Sequence, residues 1–366
     1  MSPFLRRIVS RLRPLLQSDT QFIEEAYREV LGRPADQDGL DHYRRVLGDG
    51  LGRSAVLLSL MRSEEFVKTL RPSAPALPSL RALRPDRYSE TIDHSNGQTI
   101  AVFDAADPSD FDWLERMILE HRYYEHPGVW AFGVDFDKRT MAEILAAFAP
   151  ERLLELGCAA GAVLACLDDL GVQAEGVEIS SLAIGLAPER VRSRIHHGDL
   201  LTLDLPSAYD VVFGLDVFEH LNPNRLAAYI ARLWAIARPG AYLFCNIPAF
   251  GADPAFGTVF PLYVEGWAAE AAAGRPFSRL HVDELGYPIH GHLVWADCRW
   301  WVGQFEAQGF QREATIEGAV HQKLDGYFDT RSPARKALFV FSKQATPGRD
   351  EAVIARIRAA AGPNPR

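Results

Sequence analysis

Leu153-Leu154-Glu155-Leu156-Gly157-Cys158-Ala159-Ala160-Gly161 reads as a short apolar strand running into a glycine-bearing turn. Gly157 lets the chain bend sharply off the strand, and its missing side chain lets a ligand approach the backbone. Glu155, near the strand's end, could meet a cationic group. Residues 172–177 form a second apolar run that ends at Glu178-Ile179. A third run ends at His197-Gly198-Asp199, residues 209–214 form a fourth and 241–247 a fifth. Helical stretches over 163–170, 182–187 and 225–237 lie between them. This alternation predicts an α/β fold with a doubly wound, mostly parallel sheet covered on both faces. Ligands bind such sheets at the carboxyl ends of the strands, where Gly157, Glu178, Asp199 and Asp216 all fall.

The ordered set LLELGCAAG (153–161), GVEIS (176–180), HHGDL (196–200), YDVVFGLDVFEHL (209–221) and ARPGAYLFCNIP (237–248) resembles the class I S-adenosyl-L-methionine-dependent methyltransferases. The resemblance covers 137–342 and implies the cofactor and its residues. Glu155 would sit near the methionine moiety, with Gly157, Cys158, Ala159 and Gly161 lining it. Glu178 would hold the ribose, with Ile179 beside it. Asp199 and Leu200 would embrace the adenine, and Asp216 and Val217 would complete the wall. The family turn is commonly Gly-x-Gly-x-Gly, and Ala159 replaces the middle glycine; a methyl group is tolerated there if φ stays negative. A dinucleotide fold would instead want G-x-G-x-x-G at the first turn, which is absent.

Methyl transfer from a sulfonium needs close approach and exclusion of water, and a hydroxyl acceptor benefits from a base. His220, His290 and His292 are the candidates, since imidazole titrates near pH 6.5. His290 and His292 alternate as on one face of an extended segment, and His220 could equally be a hydrogen-bonding support. The insert 248–297 is the expected acceptor lid. Its Tyr263, Trp267, Tyr287 and Trp295 could stack on a sugar or aromatic acceptor, or pack the insert against the sheet. Upstream, residues 104–137 carry Tyr123, Tyr124 and Trp130 as candidates to cap the cofactor. Residues 298–310 read as a helix, with 310–317 and 336–342 as a closing hairpin. The four cysteines lack zinc-ligand spacing, so no metal is expected. Asp216, His290 and His292 are the combination that would hold a divalent ion, as in some sugar O-methyltransferases.

The chain has 366 residues and a formal charge of −9, a balance that argues against a nucleic-acid substrate. Residues 1–18 form a cationic amphipathic segment, suited to peripheral membrane contact or to docking on the next domain. Residues 19–70 predict a separate small all-α domain. Its AYREVLGRPADQDGLDHY (26–43) and SEEF (63–66) resemble a phycobilisome-linker-like helical domain found in bacterial surface-associated and glycan-biosynthesis proteins, which implies a protein partner. Asp36 reads as a turn cap rather than part of a calcium loop. A Pro-rich linker is expected over 71–100, the methyltransferase domain over 101–343 and a tail over 344–366. No secretory signal or membrane span is read, so a cytoplasmic location is expected. The expected reaction is methylation of an oxygen, on a glycan or glycolipid precursor. A small-molecule or quinone methyltransferase and a non-catalytic scaffold that binds the cofactor are the alternatives.

Overall fold

Seven strands build the large sheet of the computed structural model, which describes residues 18–31, 33–48, 53–61, 63, 65, 77–126, 134, 136–344 and 348–360. Two further strands precede that sheet in the chain, β1 (Tyr88–Ile92) and β2 (Thr99–Asp104). Then follow β3 (Leu153–Leu156), β4 (Ala174–Glu178), β5 (Ile195–His197), β6 (Tyr209–Leu215) and β7 (Ala237–Asn246). Short strands β8 (Ala252–Asp253), β9 (Gly257–Thr258) and β10 (Arg279–His281) lie in the insert, before β11 (Gln311–Arg312) and β12 (Leu338–Ser342).

The large sheet runs β11-β12-β7-β6-β3-β4-β5. Strands β5, β4, β3, β6 and β7 are mutually parallel, and β12 inserts antiparallel beside β7. Chain order reverses between β3 and β6, so a crevice opens at their carboxyl ends. All of β3 and β12 is buried, as a sheet covered by helices on both faces requires. One face packs Met141, Leu145, Leu164 and Leu324; the other packs Ile230, Leu233, Trp301 and Phe305. Each such buried side chain contributes about 1.5–3 kcal/mol.

Two expectations are corrected here. The proposed linker over 71–100 is interrupted by structure: β1 and β2 form an antiparallel hairpin, with Tyr88 opposite Phe103. The insert's β10 adds to that hairpin, pairing Leu280 with Phe103, so the upstream region and the insert share one three-stranded sheet. The closing strand over 310–317 shrinks to Gln311–Arg312, because Ala314–Arg331 is a helix of 18 residues. Buried Glu317 explains the change: it accepts from Val340 N at 2.9 Å and pairs with Arg312 at 2.7 Å, which pins the helix start to the sheet. The tail forms a helix, Arg349–Ala359, that buries Val353 and Ile357.

The described residues fall into two compact units, one within Met1–Ala76 and one within Leu77–Glu125 and Phe132–Arg366. The first holds helices Asp19–Leu31, Gln37–Gly48 and Arg53–Met61 around Phe22, Ile23, Tyr27, Tyr43, Val56 and Leu60. Asp36 Oδ1 accepts from Gly39 N at 2.8 Å, as a turn cap does. The amphipathic reading of 1–17 and the capping role of Trp130 lie outside the described residues. Among the described residues no helix is long and apolar enough to cross a membrane.

Candidate active site

The first turn is bound to its neighbouring strand by backbone bonds and one side chain. Gly157 N and Cys158 N both donate to Val177 O, at 2.9 and 3.1 Å. Gly157 has φ +66°, and a Cβ there would lie 2.6 Å from Val217 Cγ2, so only glycine fits. Gly161, also at φ +66°, begins helix Ala162–Asp169, while Cys158 is buried with its thiol pKa pushed up by that burial. The expectation that Ala159 keeps a negative φ fails, for it sits at +46° in the left-handed region. What holds it there is the hydrogen bond from Ala159 N to Glu178 Oε2, 2.8 Å. That bond stands against a conformational cost of about 1–2 kcal/mol.

Glu155 is buried, and its Oε2 has no hydrogen-bond partner. Burial first, and the Glu178 charge second, push its pKa well above the usual carboxylate range. Such a carboxylate suits a cation arriving with a ligand. Glu178 ends β4; Oε1 accepts from Ser180 N at 2.7 Å and Oε2 from Ala159 N. Each oxygen keeps a further lone pair for a hydroxyl donor. Ile179 next to it is 48% exposed, an apolar platform at the sheet's tip.

Asp199 follows β5 and already accepts from Leu201 N at 2.9 Å and Tyr229 Oη at 2.7 Å. The Leu200 side chain lies in the core beside Leu205 and Tyr209, so position 200 can face a ligand only through its backbone. Val217 covers the glycine turn, but Asp216 is committed elsewhere. It adopts φ +52°, and its Oδ2 accepts from Arg335 Nη1 at 2.6 Å. Arg335 also pairs with Asp137 at 2.6 Å, so this cation binds the helix Phe136–Ala146 to the end of β6.

The histidines do gather, with a difference. Residues Ile289–Gly291 form a tight 3-10 turn with His290 at φ +57°, so His290 and His292 do not share an extended face. His290 is exposed and His292 buried, their ring centroids 5.7 Å apart. His292 and His220 meet edge to face at 4.8 Å. Burial holds the His220 pKa down to about 4 and that of His292 well below the usual imidazole value. Glu219, which sequence reasoning passed over as a helix-start residue, is fully buried between them. Neither of its oxygens has a hydrogen-bond partner, and burial pushes its pKa well up. Its Oε1 is 3.8 Å from His292 Nε2. One ligand atom from each of Glu219, His220 and His292 lies within 4.8 Å of the others. Asp216, held by Arg335, and the exposed His290 are not part of this group of three.

The aromatic residues of the insert mostly serve packing. Trp267, Tyr287 and Trp295 are buried; Trp267 and Trp295 surround Phe250 together with Phe277. Tyr287 stacks on Tyr123 at 5.0 Å and its hydroxyl meets His121 Nδ1 at 2.6 Å. Tyr263 reaches His281 Nδ1 at 3.2 Å. Tyr124, by contrast, reaches the histidine cluster, its hydroxyl 3.2 Å from His220 Nδ1 and 3.3 Å from Gly291 O.

Residues 134–311 match a family described as a methyltransferase domain, and residues 16–70 match a domain of unknown function (DUF4214). Nodulation protein S of Azorhizobium caulinodans is 28% identical over 150 residues, 40% of this chain and 69% of that protein. A ubiquinone biosynthesis O-methyltransferase of Burkholderia orbicola is 28% identical over 104 residues, 26% of this chain. The alignment spans 44% of that O-methyltransferase, less than half its length. A solved 1,6-didemethyltoxoflavin-N1-methyltransferase of Burkholderia thailandensis, with bound S-adenosylhomocysteine, is 18% identical across 67% of this chain and 95% of its own, at a TM-score of 0.41. The residues present fit S-adenosylmethionine on their own evidence: Glu155 offers an unpartnered buried carboxylate oxygen to an ammonium. The α/β unit, with its doubly wound sheet and glycine turn, is an S-adenosylmethionine-dependent methyltransferase of the class I fold.

Proposed function

We propose that the protein methylates a hydroxyl oxygen of a sugar in a glycan or glycolipid precursor. The single observation that carries the oxygen acceptor is the cluster of His220, His290 and His292 beside the cofactor-side wall. A hydroxyl must lose its proton as it attacks, and these imidazoles supply acceptors for it. The sugar preference is supported by the acidic balance of the chain, by the polar groups that His290 and His292 add to an otherwise aromatic insert, and by the resemblance of 26–43 and 63–66 to a helical domain of glycan-biosynthesis proteins.

Glu155 and the turn over 157–161 hold the amino-acid end of the cofactor, Glu178 accepts from its ribose, and Asp199 faces its adenine. The bound sulfonium supplies an electrophilic methyl group. An acceptor hydroxyl presented to that methyl group would give up its proton, which His290 would take. His290 is the exposed member of the cluster and can pass that proton to solvent. His220 and His292 stay neutral at pH 7, because burial disfavours their charged forms. Tyr124 and the β1-β2-β10 layer keep water from the crevice.

A panel of nucleotide sugars, glycolipid precursors and catechol-type quinone precursors, assayed for transfer of labelled methyl, tests this reading. Turnover on a sugar hydroxyl is expected, and His290→Ala and His292→Ala should each lower it about 10²-fold or more while leaving cofactor affinity unchanged. Wild-type rates in both variants would place the base elsewhere. Turnover confined to quinone precursors would favour the second reading, for which the 28% identity to a ubiquinone biosynthesis O-methyltransferase over 104 residues speaks. Tight cofactor binding with no turnover on any acceptor would favour a scaffold, recruited through residues 19–70.

A further inference from the structure

We propose that Glu219, His220 and His292 bind a divalent first-row transition-metal ion, with open coordination positions facing the acceptor. Three residues from two segments converge here, offering two nitrogens and an oxygen within 4.8 Å of one another. Around an ion with bonds of about 2.0–2.2 Å, ligand atoms lie roughly 3–4 Å apart, so movements of under about 1 Å per side chain complete the shell. The Glu219–His292 pair is already at 3.8 Å.

Burial without partners points to a missing cation. A carboxylate with 0% exposure and two oxygens lacking hydrogen bonds costs several kcal/mol unless something neutralises it. His292 Nδ1 is likewise buried without a partner. A metal ion would neutralise the carboxylate with both imidazoles neutral, the form that ligates.

The surroundings fix the ligands as second-layer groups do in metal sites. The Tyr124 hydroxyl oxygen lies 3.2 Å from His220 Nδ1 and 3.3 Å from Gly291 O, so one phenol ties the His220 ring to the turn 289–291. Glu219 O accepts from Leu293 N at 2.7 Å and Val294 N at 2.9 Å. Those bonds lock the turn Phe218–His220 to the segment that carries His292, so all three ligands are pre-set by backbone. Two imidazoles and one carboxylate favour zinc, cobalt, iron or manganese over magnesium or calcium, which prefer oxygen alone. Three protein ligands leave positions open, the arrangement of catalytic rather than structural sites. The ion's role rests on the methyl-transfer reading above: an acceptor hydroxyl bound to it would lose its proton more readily, the proton going to His290.

The test uses the full chain, stripped with a chelator and dialysed against Co²⁺, with metal content and the visible Co²⁺ spectrum as readouts. One Co²⁺ per chain is expected, with affinity reduced at least about tenfold in Glu219→Gln and in His292→Ala. Tyr124→Phe, which removes no ligand, should weaken binding about tenfold with its fold intact. His290→Ala should bind Co²⁺ as the wild type does. S-adenosylmethionine binding reports folding in every variant. Absence of stoichiometric Co²⁺ and Zn²⁺ binding in the folded protein, or equal affinity in Glu219→Gln and His292→Ala, would overturn the site. Loss of binding in His290→Ala would overturn the ligand set. A bound ion with no methylation of any hydroxyl leaves the site standing and removes the O-methyl reading; O-methylation by a protein that binds no ion does the reverse.

Discussion

The proposed cofactor half and acceptor half of this crevice are assembled by different means. In the cofactor half, Glu155, Gly157, Ala159, Glu178 and Asp199 stand at or just beyond the ends of β3, β4 and β5, and much of their hydrogen bonding is to backbone within a few residues or on the adjacent strand. In the acceptor half, partners are distant in sequence. Tyr124 meets His220 across 96 positions, His121 meets Tyr287 across 166, and the hairpin of β1 and β2 is completed by β10. Asn222, fully buried, joins the two halves by donating to Asp112 and Glu115 on the helix Pro108–Glu120, at 2.8 and 2.9 Å. Local geometry fixes the strand-tip residues, then, while long-range packing fixes the histidine cluster and its layer.

The largest expected effect probes whether the halves are separable. Leu280 is fully buried on β10 opposite Phe103, and Leu280→Ala should cost about 2–4 kcal/mol, read by chemical denaturation. Its cofactor affinity should stay within about twofold of wild type while methyl transfer falls. Cofactor affinity falling in step with stability would mean that the acceptor layer is part of the cofactor site.

Glu155→Gln sharpens the other half. The folded protein raises the Glu155 pKa, so the stability tied to its neutral form is complete below about pH 4.3 and is lost as pH rises through the folded value. Without ligand, Glu155→Gln should therefore melt higher than wild type at pH 8, by about 2–4 °C, with a smaller difference at pH 5. Its affinity for the cofactor should fall about tenfold, because the ammonium loses its counter-charge. A lower melting temperature at pH 8 would show that Glu155 is paired in the free protein. The smallest effect belongs to Ala159→Gly, which relieves a left-handed alanine at the price of added freedom in the unfolded chain. A gain of up to about 1 kcal/mol in stability is expected; a loss would mean that the methyl group packs usefully.

This division also explains what could be read in the residues. Strands β3, β4, β5, β6 and β7 announce themselves as apolar runs, and the carboxylates at their tips fall in register, so the doubly wound sheet and its crevice follow from spacing. Ala159 escaped because its conformation is set by a bond to Glu178, 19 positions away. Asp216 looked available until Arg335, 119 positions on, proved to hold it. Glu219 carried no local signal at all, since a glutamate beside a histidine usually marks a solvated helix start, and only the fold buries it against His292. The hairpin over 88–104 hid behind the prolines that precede it.

Binding of S-adenosylmethionine to wild type and to Glu178→Ala, compared by titration calorimetry, tests the central claim most directly: the sheet tips hold this cofactor. A more than tenfold weakening is expected on loss of a charged acceptor for the ribose, whose two backbone donors, Ala159 N and Ser180 N, would also be left without it. An unchanged dissociation constant in a folded Glu178→Ala would contradict the account.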